Sequence, residues 1–378
     1  MERREFGKII AAGAVSAALA GCNTGENHNK PIATLSQNQR PKKKKALMHI
    51  GCQRVEITKE SLEFRARCGV FNIDGRPPKT IPGKGWDLDD SLQRKEMCEK
   101  YGISLDAYHL PLESGGIDVA KYPNIMLGKS PERDREIEII QQMIEVAGKT
   151  KIRTLLYNTT ILGVLRTEDT PGRGGSSSLS WDYEKALRKN EGLTVAGEVS
   201  LDEMYERITY LLDRILPVAE EWKVQLGNHI ADPPLPAAYR GIWRWDSPNV
   251  FEGIKRFARL YDSPYHGFNF CIGVCAEGLK DPNNGIHEII RFVGERKQLF
   301  NVHLRNIKGG FNKFQEVYPD EGDMDFYKVL QTLWDVEYPY MLMPDHTPKH
   351  PDDPEKRQAF AFAYGYIKGL IQAVNSDF

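Results

Sequence analysis

From Ala46 onward the chain alternates short apolar, β-prone runs with longer stretches whose apolar positions recur at helical spacing. Eight runs stand out: ALMHIGC (46–52), CGVFNI (68–73), ISLDAYHL (103–110), IRTLLYN (152–158), KVQLGNH (223–229), GFNFCIG (267–273), LFNVHL (299–304) and YMLMPD (340–345). In the stretch 131–149, Ile137, Ile140, Ile144 and Ala147 share a helical face, with acids early and a glycine near the end. Asp87, Asp89 and Asp90 open the charged stretch SLQRKEMCEKYG, and Ser200 with Glu203 offers a capping box to MYERITYLLDRILPVAEEW. Asp323 precedes the helical pattern MDFYKVLQTLWDVE, and a last helix is expected through RQAFAFAYGYIKGLIQAV. Strand and helix in alternation predict a parallel sheet. Eight such units over about 330 residues predict an α/β fold of the (β/α)8 TIM-barrel type, one domain from residue 46 to 378. No GxGxxG follows the first run, which argues against an open dinucleotide-binding sheet.

The longest insertion, TEDTPGRGGSSSLSWDYEKALRKNEG, falls between the fourth and fifth runs. Its GRGGSSS segment lacks the Gly-Lys-Ser/Thr ending of a phosphate loop, so a mobile loop over the barrel mouth is expected, with a lid as one use. Residues 1–22 have a charged start, an apolar stretch from Ile9 to Ala20 and then Leu19-Ala20-Gly21-Cys22. They read as an export signal, because roughly 12 apolar residues fall short of the about 20 that span a bilayer. Arg3-Arg4 with Phe6 and Lys8 resembles a twin-arginine signal, and the segment ending in Cys22 resembles a lipobox, which would lipidate Cys22 and tie the protein to a bacterial cell-envelope membrane. Residues 23–45 are polar, end in four lysines, and read as a disordered tether.

Lys plus Arg total 51 against 52 for Asp plus Glu, so the overall field gives no argument for a nucleic-acid partner. The six cysteines show no paired CxxC spacing, and no disulfide framework or zinc ribbon is expected. A homo-oligomer is compatible with the sequence without being specified by it.

The chemistry concentrates at the tails of the last four runs. His229, Cys271, His303 and Asp345 recur at intervals of about 40, 30 and 40 residues, one strand–helix unit each, at the end of the strands where α/β enzymes place their sites. Singly, such a histidine is more often a satisfied, partly buried side chain and such a cysteine a core residue. Four at one phase of successive units are hard to read as accident. Two imidazoles, a thiolate and a carboxylate suit a divalent transition metal, and Zn, Mn, Fe and Co all satisfy the set. Cys275 competes with Cys271 but lies beyond the run. His346, beside Asp345, has a side chain suited to proton transfer near neutral pH. Arg305 offers a forked donor for a carboxylate or hydroxyls, and Arg166, Asn158 and Asp232 occupy comparable positions after the fourth and fifth strands, where loop salt bridges and turn roles are an equal reading. His49 and His109 sit near strand ends and could enter the pocket, whereas His28, His266, His287 and His350 read as surface residues.

Several segments resemble the mannonate dehydratase family. NHIADPP is similar to its HPDDPP, FCIGVCAEG to its LCTGS segment, and VHLRN, EGDMDFY and PDH match in kind, as do IMLGKSPERD and YNTTILGVLRT. The resemblance covers most of residues 46–375. It implies a divalent metal, Mn2+ or Fe2+, on His229, Cys271, His303 and Asp345, an acid/base role for His346, and a sugar-acid substrate. The implied reaction removes water from D-mannonate, or a close aldonate, to give 2-keto-3-deoxy-D-gluconate. The chain departs from the family in three places. The loop after Asp345-His346 reads TPKHPDDPEKRQAF and lacks the family's tyrosine, leaving His350 as a substitute and Tyr364 and Tyr366 to the last helix; Ala231 replaces the first aspartate of HPDDPP; and the export signal is foreign to the familiar members. A metal-dependent sugar isomerase or epimerase, and a non-catalytic lipoprotein that binds sugar acids, are the competing readings.

Overall fold

The computed structural model describes residues 44–376; the signal-like segment with Cys22 and the tether up to residue 43 lie outside the described residues. All eight runs form strands of one closed parallel barrel: β1 (His49–Ile50, resuming at Cys52–Val55), β2 (Asn72–Gly75), β3 (Ser104–His109), β4 (Thr154–Asn158), β5 (Gln225–His229), β6 (His266–Cys271), β7 (Leu299–His303) and β8 (Met341–Met343). The first half of β1 pairs with β8 and the second half with β2, which closes the cylinder. Gly51 lies at this seam because a Cβ there would come within 2.8 Å of the Met341 side chain.

Period-two alternation explains both core and site. On β5 to β8, Leu226, Phe268, Phe270, Val302 and Leu342 belong to the main apolar core. The opposite parity carries Asn269 and Asn301, hydrogen-bonded at 2.8 Å, and Met343, one step below Cys271, His303 and Asp345. Ala107, Leu156, Met341 and Met343 form a separate small apolar cluster of this inward parity.

The helices that cover the barrel are α1 (Lys59–Arg67), α2 (Leu88–Lys100), α3 (Glu132–Lys149), α4 (Leu201–Trp222), α5 (Val250–Ala258), α6 (Pro282–Glu295), α7 (Phe326–Asp335) and α8 (Arg357–Ser376). Asp87 caps α2, and the Ser200–Glu203 capping box is complete on α4. Helix α4 buries Ile208, Leu211, Leu212 and Ile215 on one stripe, each side chain contributing about 1.5–3 kcal/mol of apolar burial. Among the described residues no helix is long and apolar enough to cross a membrane.

Three expectations are corrected. The second strand starts at Asn72 rather than at residue 68, because Cys68 caps α1 and Gly69 turns the chain at φ 71°. Helix α7 is capped by Asp325, whose carboxylate accepts from the amides of Tyr327 and Lys328; Asp323 instead accepts from the Gly309 amide at 2.7 Å. The long insertion is not a loose loop. Its strands Glu168–Pro171 and Ser177–Asp182 join a hairpin after β7, Asn306–Gly310 and Lys313–Val317, in a four-stranded antiparallel sheet. Arg173, in the glycine-rich turn, makes a two-pronged ion pair with Asp320 at 2.7 and 2.8 Å. That sheet carries Glu316 into the site described next.

Candidate active site

A cavity opens at the C-terminal end of the strands, lined by Gln53, Arg54, His109, Ser114, Asn158, Val164, His229, Asp232, His303, Asp345 and His346. The donor atoms of His229, Cys271 and His303 all fall within 4.8 Å of one another, and Cys271 Sγ is 3.4 Å from Asp345 Oδ2. The four residues expected from spacing therefore meet.

Their hydrogen bonding suits a cation. His229 Nδ1 is 2.6 Å from the Ile230 carbonyl oxygen, which can only accept, so the proton sits on Nδ1 and Nε2 keeps its lone pair. His303 is buried, yet neither ring nitrogen has a hydrogen-bond partner; Nδ1 stands 3.7 Å from Asp345 Oδ1. Burial pushes the His303 pKa down to about 3 and lowers that of His229, so both rings are neutral and able to ligate. Burial raises the Cys271 thiol well above its ordinary value, a penalty that a bound cation relieves by binding the thiolate. Burial also opposes the charge on Asp345, but His346 and Arg305 outweigh it and hold the carboxyl well below the usual range. Orphaned buried nitrogens beside a thiol and a carboxylate make a donor set that fits a divalent transition metal.

His346 Nδ1 is 2.9 Å from Glu316 Oε1, and Nε2 is 3.8 Å from Asp345 Oδ1. Burial disfavours its protonation, yet Asp345 and Glu316 prevail and raise its pKa. On the β1–β3 side of the mouth, His109 Nε2 stands 2.8 Å from Asp74 Oδ2 without the alignment of a hydrogen bond, and its Nδ1 has no hydrogen-bond partner.

Arg305 has a different task from the open fork the sequence suggested, and Arg166 takes the salt-bridge role that was its alternative. Arg305 is fully buried and contacts Glu316 (2.7 Å), Glu277 (2.8 Å), Asp232 (3.3 Å) and Asp345 (3.5 Å). Arg166 pairs with Asp232, Glu277 and Glu316. Both guanidiniums are spent on the protein's own carboxylates, holding the wall behind the ligands. Asp232 and Asn158 do line the cavity, as expected. His49 does not: it starts β1, at the far end of the barrel. His266 is no surface residue but buried, with Nε2 2.9 Å from the Phe257 carbonyl. His287 is partly buried with Nδ1 2.7 Å from Thr332 Oγ1, and His350 pairs with Tyr318 at 2.6 Å, away from the cavity lining. Tyr364 donates to Cys52 Sγ in the core, and Tyr366 stacks on Phe362. Gln53, Arg54, Asp74, Glu277 and Glu316 escaped the sequence reading. Glu277 alone stood within a quoted segment, FCIGVCAEG, without being singled out.

An eight-stranded parallel barrel with a mixed His/Cys/carboxylate cradle at its mouth is a TIM barrel of the xylose-isomerase-like kind. A D-tagatose 3-epimerase-like protein superposes with a TM-score of 0.53 at 16% identity, covering 86% of this chain and 99% of its own, a likeness of fold alone. The family model described as D-mannonate dehydratase (UxuA) matches residues 180–377, more than half of the chain, and the chain belongs to that family. Mannonate dehydratase of Thermotoga petrophila is 27% identical over 322 residues, 75% of this chain and 84% of that protein. The crystal structure of mannonate dehydratase from Streptococcus suis serotype 2 superposes with a TM-score of 0.72 at 26% identity, covering 87% of this chain and 94% of that one. The protein is an enzyme of the hydro-lyase class.

Proposed function

We propose that the protein dehydrates D-mannonate, or a close aldonate, to 2-keto-3-deoxy-D-gluconate with the aid of a divalent metal. The observation that carries this reading is the close approach of His229, Cys271, His303 and Asp345 to one another at the strand ends in a member of this family. Those four residues would hold the metal, Mn2+ or Fe2+ by family resemblance, and it would supply Lewis-acid charge against the carboxylate and the neighbouring hydroxyl.

The remaining work falls to the side chains. The carbon next to the carboxylate must lose a proton, and the next carbon must lose hydroxide as water. His109, backed by the Asp74 carboxylate, takes the C2 proton. His346, held between Asp345 and Glu316, protonates the departing C3 hydroxyl. The C2–H electron pair becomes the C2–C3 double bond as the C3–O bond breaks, and the resulting enol tautomerises to the 2-keto acid. This division supplies the second proton-transfer group without the family's loop tyrosine. Incubating Mn2+-loaded protein lacking residues 1–45 with D-mannonate should give a 2-keto-3-deoxy acid, detected by mass as loss of one water. A product of unchanged mass would establish an isomerase or epimerase instead.

The signal-like N-terminus supports the further proposal that the enzyme is exported and anchored through Cys22. Wild-type protein expressed in a bacterium should partition with membranes and Cys22→Ser should not; equal partitioning refutes the anchor.

A further inference from the structure

Consecutive residues of a strand normally face opposite sides, yet Gln53 and Arg54 both line the cavity. The cause is a bulge in β1: Cys52 pairs with Ile73 and Val55 with Gly75, so three steps on β1 oppose two on β2. Arg54 takes up the extra residue at φ 50°. It is the one non-glycine residue within a barrel strand at positive φ among the described residues, a conformation L side chains adopt at a cost. Its amide is fixed to Asp74 Oδ2 at 3.1 Å. Bulges of this kind re-aim side chains beside active sites.

The re-aimed side chain is a cation with no use in the fold. Arg54 is half-buried, and among the described residues its guanidinium has no hydrogen-bond or ion-pair partner. Arg305 and Arg166, by contrast, are saturated by Asp232, Glu277 and Glu316. Arg54 is also the sole lysine or arginine that lines the cavity among the described residues. A strained backbone that delivers an unspent, planar fork to the cavity has the chemistry of carboxylate capture.

We infer that Arg54 binds the carboxylate of the substrate and selects sugar acids over neutral sugars. This rests on the sugar-acid reading above and makes Arg54 a determinant of substrate class. Arg54→Gly suits the left-handed backbone, so the variant loses the cation and keeps the fold. Arg54→Lys keeps the charge without the fork. Calorimetric titration of the Mn2+-loaded proteins with D-mannonate should show affinity falling about tenfold or more in Arg54→Gly and less in Arg54→Lys. D-mannitol, a six-carbon chain without the charge, should bind both variants as it binds wild type. Unchanged D-mannonate affinity in Arg54→Gly, or an equal loss for D-mannitol, overturns the inference. Binding that depends on Arg54 without turnover would refute dehydration and leave the carboxylate site standing; turnover with an affinity indifferent to Arg54 would do the reverse.

Discussion

Gln53 Nε2 donates to Asp345 Oδ1 at 2.9 Å, so the first strand of the barrel orients a carboxylate that follows the last. Outer partners of this kind typically carry 10–100-fold of a site's metal affinity. Gln53→Ala should therefore weaken Mn2+ binding by about tenfold. Cys271→Ala and His303→Ala, which remove ligands, should abolish binding and turnover together. Chelator-competition titration measures both, and full Mn2+ affinity in either ligand variant would falsify the cradle.

His109 and His346 can be separated by isotope exchange. If His109 takes the C2 proton, His109→Asn should lose C2 hydrogen exchange in D2O along with turnover. His346→Asn should retain exchange while losing elimination by about 10²–10⁴-fold. The reversed pattern would swap the two roles, and near-wild-type turnover in His346→Asn would remove it from the chemistry.

Arg305 is surrounded by Glu277, Glu316, Asp232 and Asp345 with no exposure of its side chain. Breaking a buried ion network by removing one partner costs about 3–5 kcal/mol, because the charges left behind stay desolvated. Arg305→Met should lower stability by about that amount, read from urea midpoints. A loss under about 1 kcal/mol would mean that the carboxylates bind protons instead and that Arg305 is dispensable to the fold.

Asp246 is fully buried and accepts from the Ala231 amide at 3.0 Å. Burial, against the pull of Arg244, raises its pKa from 3.8 to about 7. The folded state thus keeps a proton that the unfolded chain releases near pH 4. Protonated Asp246 favours folding at low pH, and that advantage is lost as the pH rises through about 7. Asp246→Asn should accordingly gain stability relative to wild type between about pH 5 and about pH 8, compared by thermal unfolding. A constant offset across that range would show that Asp246 is ionised throughout.

What the sequence disclosed follows from which forces are local. Strand ends repeat with period two and one chain unit apart, so His229, Cys271, His303 and Asp345 announced themselves together. Glu277 and Glu316 did not, because their use depends on a guanidinium brought in from β7 and on a small sheet assembled from two distant insertions. The GRGGSSS turn misled for the same reason: its glycines and serines look mobile until the hairpin after β7 pairs with the strand that follows them. Arg54 was hidden by a bulge, which alternation cannot reveal because it breaks alternation.

Closure of the barrel has a consequence for when this enzyme becomes active. Gln53 and Asp345 are 292 residues apart in sequence, and β1 finds its second neighbour only when β8 arrives. During synthesis the chain carries His229, Cys271 and His303 well before Asp345 exists. A complete cradle is therefore a property of the finished molecule, and any product of premature termination or C-terminal proteolysis before β8 would lack it however well its remaining strands paired.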